Sequence, residues 1–157
     1  MAAGGQGSDT SEYLVSRLSL RHRRGTVYHP DVKSCSILVV DDESGIRDLI
    51  GRLLTRAGHR VTIAGDGEEA TKAIAKQTFD IVLTDVIMPE KDGVEVIAEV
   101  RRKHPDVRII AMSGGGHVSL EQYLKIAKGM GAHAVLQKPF DQAELLAAIE
   151  TAMAKTE

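Results

Sequence analysis

The chain has no tryptophan, one cysteine, four prolines and no apolar run near the ~20 residues that a membrane-spanning helix requires. Each shortage closes a class of protein. The lone cysteine, Cys35, cannot form an internal disulfide, and it precedes an apolar run where a small buried hydrophobe suits the position. Aromatic residues make up 3% of the sequence, too few for the stacking platforms that hold single-stranded nucleic acid. Charge of neither sign dominates: the formal net charge of −2 gives no general attraction to nucleic acid or to a membrane surface. The N-terminus lacks the apolar segment of a secretory signal, so a cytoplasmic location is expected. No Gly-Lys dipeptide occurs, which excludes a nucleotide P-loop.

The 157 residues, 43% hydrophobic and 27% charged, suit one globular domain with an arm left over. The arm is expected over residues 1–35, partly disordered or a short helix, and the domain over 36–157. Within the arm, "TSEYLVSRLSLRHRRG" offers Thr10 or Ser11 as a cap, Leu14 and Leu18 on one face and Gly25 as a stop. Arg17, Arg21, Arg23 and Arg24 read as a solvated basic run, because four arginines without a recognisable DNA-binding fold supply only weak nonspecific affinity. The histidines are scattered, and no pair has metal-site spacing on an evident helix face.

From residue 36 two patterns alternate. Ile37-Leu38-Val39-Val40, Ile81-Val82-Leu83, Ile109-Ile110-Ala111-Met112 and Ala134-Val135-Leu136 are short continuous apolar runs, the signature of strands covered on both faces. Arg60-Val61-Thr62-Ile63 alternates instead, as a half-covered edge strand does. Between the runs lie helical spacings: Ile46, Leu49, Ile50, Leu53, Leu54 and Ala57, stopped by Gly58; Ala70, Ala73 and Ile74; Val94, Ile97 and Ala98; Leu120, Tyr123, Leu124 and Ala127. A last helix opens on Asp141 and Glu144 at capping-box spacing and is expected to bury Leu145, Ile149 and Met153. Five strands alternating with five helices specify an α/β doubly wound parallel sheet with right-handed crossovers.

In such a sheet the functional crevice lies beyond the carboxyl ends of the strands. The first strand is followed by Asp41 and Asp42, the third by Asp85, the fourth by Ser113 and the fifth by Lys138 and Pro139. Each has a modest alternative reading. Asp41 or Asp42 could cap a helix, Asp85 could shape a turn, Ser113 could fill one, and Lys138 could be a solvated strand end. Taken together they say more, because three carboxylates crowded on one rim repel unless a cation sits among them. Hard oxygen ligands suit Mg²⁺, and Lys138 and Ser113 suit the outer oxygens of a phosphoryl group. Asp85 then becomes the nucleophile of an acyl phosphate.

The segments "ILVVDDE", "IVLTDVIMPEKDG", "IIAMSGG" and "VLQKPF", in this order and at these intervals, closely resemble the receiver domain of two-component response regulators. The match runs from residue 36 to about 155. The resemblance implies a flavodoxin-like (βα)5 sheet of order 2-1-3-4-5, and phosphotransfer to Asp85 from a histidine kinase or histidine phosphotransfer protein. It implies Mg²⁺ held by Asp42, Asp85 and the backbone carbonyl of Ile87, with Asp41 acting through water, and Ser113 and Lys138 reporting and holding the phosphoryl group. Pro89 and Gly93 would shape the loop around Asp85.

Departures from the pattern carry their own expectations. Many receivers have a switching aromatic three positions before the Lys-Pro pair, where this chain has Val135. The positions that help hold a hydrolytic water in similar receivers are here Ile87 and Gly115, neither with a polar side chain. Gly114, Gly115 and Gly116 read as loop freedom before the fourth helix. The expected protein is a stand-alone phosphoacceptor switch that promotes only its own phosphorylation and dephosphorylation and is not otherwise an enzyme. It would signal by binding an unidentified protein at the face of the fourth helix, fifth strand and fifth helix; a homodimer is left open, and neither membrane nor nucleic-acid binding is expected. Two rivals stand beside it: an adaptor that works without phosphorylation, and an aspartyl-phosphate phosphatase. Phosphatases of that kind carry Asp-x-Asp after the first strand, where this chain has Asp41-Asp42-Glu43.

Overall fold

The computed structural model describes residues 33–86, 93–114 and 119–154, so all but the last three residues of the expected arm lie outside it. The elements run β1 (Ser36–Val40), α1 (Ser44–Arg56), β2 (Arg60–Ala64), α2 (Gly67–Lys76), β3 (Ile81–Asp85), α3 (Gly93–Lys103), β4 (Arg108–Gly114), α4 (Leu120–Gly129), β5 (Ala134–Lys138) and α5 (Gln142–Met153). All strand pairings are parallel, in the order β2-β1-β3-β4-β5, as the resemblance implies.

Side chains alternate across a strand, so each apolar run feeds two cores. Leu38, Val40, Val82 and Ile109 pack with Ile74 of α2, Val96 and Val100 of α3 and Ala127 of α4. Ile37, Val39, Leu83 and Met112 pack on the other face with Ile50 and Leu54 of α1 and Leu145 and Ile149 of α5. Burying one such side chain contributes roughly 1.5–3 kcal/mol, and both faces of the central strands do so, which is why these runs have no polar break. Strand β2 lies at the sheet edge as expected, but its alternation does not set its burial: Val61 packs, partly buried, on the α1/α5 core, whereas Ile63, the other apolar position, is exposed and Ala64 is buried. Cys35 is buried in the α1/α5 core.

Local signals set the helix ends. The Asp66 carboxylate accepts from Glu69 N at the start of α2, and Asp141 with Glu144 forms the full capping box on α5. Gly58, at φ 95°, sits just past α1 in the left-handed conformation that glycine adopts without strain.

Three helix faces differ from the expected ones. On α3 the buried residues are Gly93, Val96, Ile97 and Val100, while Val94 and Ala98 are exposed. Periodicity fits either stripe; Gly93, seated against the Asp85 main chain, turns the helix to the first. On α1 Leu49 is 55% exposed, because six apolar positions make a stripe wider than the sheet covers. On α5 Ala152 takes the inward place in the last turn and leaves Met153 exposed. Ala127 of α4 is buried as expected, and the side chains of Leu120, Tyr123 and Leu124 lie outside the description.

At the N-terminal edge of the sheet two histidines do the same work on two strand pairs. His59, just before β2, accepts through Nδ1 from Cys35 N at 3.1 Å, and His133, just before β5, accepts from Ile109 N at 3.0 Å. An imidazole nitrogen can accept only when it carries no proton, so both rings are held neutral. Burial lowers the pKa of each, and the charges of Arg108 and Arg101 lower that of His133 further.

Candidate functional site

The carboxyl ends of β1, β3 and β5 bring Asp41, Asp42, Asp85 and Lys138 to one place. Lys138 Nζ donates to Asp41 Oδ2 at 2.6 Å and to Asp85 Oδ2 at 2.8 Å. Asp41 is fully buried and Asp85 nearly so, whereas Asp42 faces solvent. Carboxylate oxygens of the three aspartates lie within 4.8 Å of one another. The cation that such crowding demands is, in this structure, the lysine ammonium. Burial by itself would lower the Lys138 pKa, but the hydrogen bonds and charges of Asp41 and Asp85 outweigh it and hold the ammonium above its ordinary value.

The surrounding backbone explains why each group stands where it does. Asp41 continues the β1 ladder by donating its N–H to Ala64 O at 3.2 Å, and its Oδ1 accepts from Glu43 N at 2.9 Å. Asp85 is the last residue of β3, opposite Met112 of β4, and the Thr84 hydroxyl donates to its main-chain carbonyl at 3.0 Å. Gly93 donates its N–H to Val86 O, and a Cβ there would run into the Asp85 carbonyl, so this glycine is needed for a close approach. Ser113, one residue beyond Met112, lies on the same rim and is partly buried.

Three oxygen-bearing acids around one small volume suit a hard divalent ion such as Mg²⁺. Ile87, the third expected ligand, and Gly115 lie outside the described residues, as do Pro89 and His117. Val135 lies in β5 and packs, partly buried, against the α2–α4 core. Sequence reasoning passed over Arg47, whose Nη1 donates to the Asp41 carbonyl at 3.0 Å. The available signal was one cation beside the apolar stripe of α1, too common a feature to single out.

A doubly wound five-stranded sheet with an aspartate cluster and a lysine on its carboxyl rim defines a two-component signalling module. The chain belongs to the response regulator receiver domain family, whose sequence profile matches residues 37–150. It is 35% identical over 122 residues to the DNA-binding transcriptional regulator NtrC of Azospirillum brasilense, covering 78% of this chain and 25% of that protein. The NtrC of Escherichia coli (strain K12) is 36% identical over 117 residues, covering 74% of this chain and 24% of that one. This chain therefore spans about a quarter of the length of these relatives. Among solved structures, chemotaxis response regulator CheY4 of Vibrio cholerae superposes with a TM-score of 0.70 at 29% identity, covering 77% of this chain and 100% of CheY4. NtrX from Brucella abortus gives 0.71 at 32% identity, covering 77% of this chain and 27% of NtrX. The domain is thus a signalling switch rather than an enzyme acting on an external substrate, and no helix among the described residues is long and apolar enough to cross a membrane.

Proposed function

We propose that Asp85 accepts a phosphoryl group from a histidine kinase or histidine phosphotransfer protein, and that the acyl phosphate changes the affinity of the domain for a protein partner. The observation that carries this reading is the double ion pair of Lys138 with two buried carboxylates at the ends of strands far apart in sequence. A purely structural lysine has little reason to hold two acids at a rim where a third, Asp42, stands open to solvent.

In the transfer, an Asp85 carboxylate oxygen attacks phosphorus, an O–P bond forms, and the N–P bond of the donor phosphohistidine breaks, returning the electron pair to the imidazole. Lys138 leaves Asp85 Oδ2 for a phosphoryl oxygen and keeps its contact with Asp41, so the ammonium travels with the developing charge. The Ser113 hydroxyl donates to a second phosphoryl oxygen. Asp42, Asp85 and the Ile87 carbonyl would hold Mg²⁺, with Asp41 acting through water; the ion, when bound, neutralises charge on the transferring group. The response is read out on the face formed by α4, β5 and α5.

Incubation with acetyl phosphate and Mg²⁺, followed by intact-mass measurement, tests the assignment. The wild type gains one hydroxylamine-labile phosphoryl group and Asp85→Asn gains none, since the amide keeps the size but is a poor nucleophile. Equal labelling of both proteins would move the acceptor elsewhere. A second reading, an adaptor that works through its surface without phosphorylation, draws on Val135, which has no ring to swing between states. Absence of labelling in the wild type would favour it.

A further inference from the structure

Asp41 and Asp42 share one peptide unit but are held in different ways. The Asp41 carboxylate is fixed on both oxygens, by Glu43 N and by Lys138 Nζ. Asp42 is exposed, and its side chain makes no hydrogen bond among the described residues. Among the described residues, its constraint is therefore where the backbone places it. The Asp41 carbonyl and the Asp42 nitrogen and Cα lie in the same planar unit, so whatever holds that carbonyl also places the Asp42 Cα from which the carboxylate extends. The holder is Arg47, which reaches back from α1 to donate to Asp41 O at 3.0 Å.

Arg47 sits in a slot that the neighbouring loop leaves open for it. A Cβ on Gly65 would stand 2.8 Å from Arg47 Nη1 and 3.6 Å from its Cζ. Gly65 is not among the glycines with positive φ, so it is there for room rather than for a turn. Glu69 Oε2 accepts from Gly65 N at 2.6 Å and pins the same loop. Among the described residues the buried Arg47 Nε has no hydrogen-bond partner, so the guanidinium is held here at the expense of one of its own donors.

We propose that Arg47 is a positioning residue for the acidic cluster: it locks the Asp41–Asp42 peptide, keeps the Asp42 carboxylate within reach of the other two acids and thereby sets the affinity of the cluster for a divalent cation. This rests on the receiver reading above, in which Asp42 is a cation ligand. The sign of the effect separates positioning from charge. A guanidinium beside a cation site opposes binding by repulsion, so if charge were its whole influence, its removal would tighten the site. Positioning predicts the reverse, and partners that orient metal ligands are commonly worth 10-fold or more in affinity.

The experiment is a Mg²⁺ titration of the unphosphorylated protein, followed by amide chemical shifts, for wild type, Arg47→Gln and Gly65→Ala. Arg47→Gln is expected to weaken Mg²⁺ binding roughly tenfold. Gly65→Ala, which keeps every charge but pushes a methyl into the guanidinium slot, should weaken it in the same direction. Free guanidinium at millimolar concentration should partly restore Arg47→Gln and leave Gly65→Ala unchanged. In acetyl phosphate labelling, Arg47→Gln should raise the half-saturating Mg²⁺ concentration while approaching the wild-type plateau rate, a split that general loss of structure would not produce. Tighter or unchanged Mg²⁺ binding in Arg47→Gln, with a responsive wild type, overturns the proposal and leaves the phosphoacceptor reading standing. A wild type that shows no Mg²⁺ response overturns both.

Discussion

Replacing Lys138 by methionine removes the ammonium that lies 2.6 Å from Asp41 and 2.8 Å from Asp85 while keeping most of the side-chain stem. The Asp41 side chain is fully buried, so its charge cannot turn to water. Removing one member of a buried ion pair costs about 3–5 kcal/mol. Urea unfolding followed by far-ultraviolet circular dichroism in EDTA, suited to a chain without tryptophan, should give a deficit of roughly 3–5 kcal/mol at pH 7. Added Mg²⁺ should recover stability in the variant more than in the wild type, because a cation that binds only the folded state stabilises it by mass action. A variant as stable as wild type at pH 7 would refute the argument, and an unchanged deficit in saturating Mg²⁺ would show that packing rather than charge is lost.

The histidines at the opposite edge make a separate pH prediction. Their folded pKa values lie below the ordinary 6.5, so the stability they confer is present above about pH 6.5 and is lost as pH falls through the lowered values. Urea midpoints between pH 8 and pH 5 should fall less in His59→Asn than in wild type, and a parallel fall would refute the link. Because Val135 offers no ring to reposition, a beryllofluoride mimic should change hydrogen exchange in the segment from Ser113 to His117 and at the start of α4 more than in β5. A change confined to β5 would contradict this. Ile87 and Gly115 offer no side-chain hydrogen bond to a hydrolytic water, and positioning help of this kind is typically worth ~10²-fold or more. Phosphorylated protein should therefore decay slowly and Ile87→Asn should speed the decay; His117, next to the glycine run, is the nearby polar side chain that could substitute, so fast decay of wild type, unchanged in His117→Ala, would refute the reasoning.

Sequence alone determined the features that repeat within a single segment. The unbroken apolar runs of β1, β3 and β4 declare strands covered on both faces, the alternation of β2 declares an edge, and Gly58 and the Asp141–Glu144 pair mark helix ends, because each depends on spacing of a few residues. The rim was legible for the same reason: in a parallel sheet every strand delivers its carboxyl end to one side, so Asp41, Asp42, Asp85, Ser113 and Lys138, at or just past those ends, had to share an edge. What tertiary structure decided are choices between equally periodic alternatives and contacts across long separations. Val96 and Val100, rather than Val94 and Ala98, face the sheet because Gly93 must pass beneath the Asp85 carbonyl. His59 and His133 hold neighbouring strands, and Arg47 holds the Asp41 peptide, through bonds that no spacing rule encodes. Lys138 meets Asp41 from 97 residues away, a contact that exists only once five strands have been ordered and two buried acids need one charge between them.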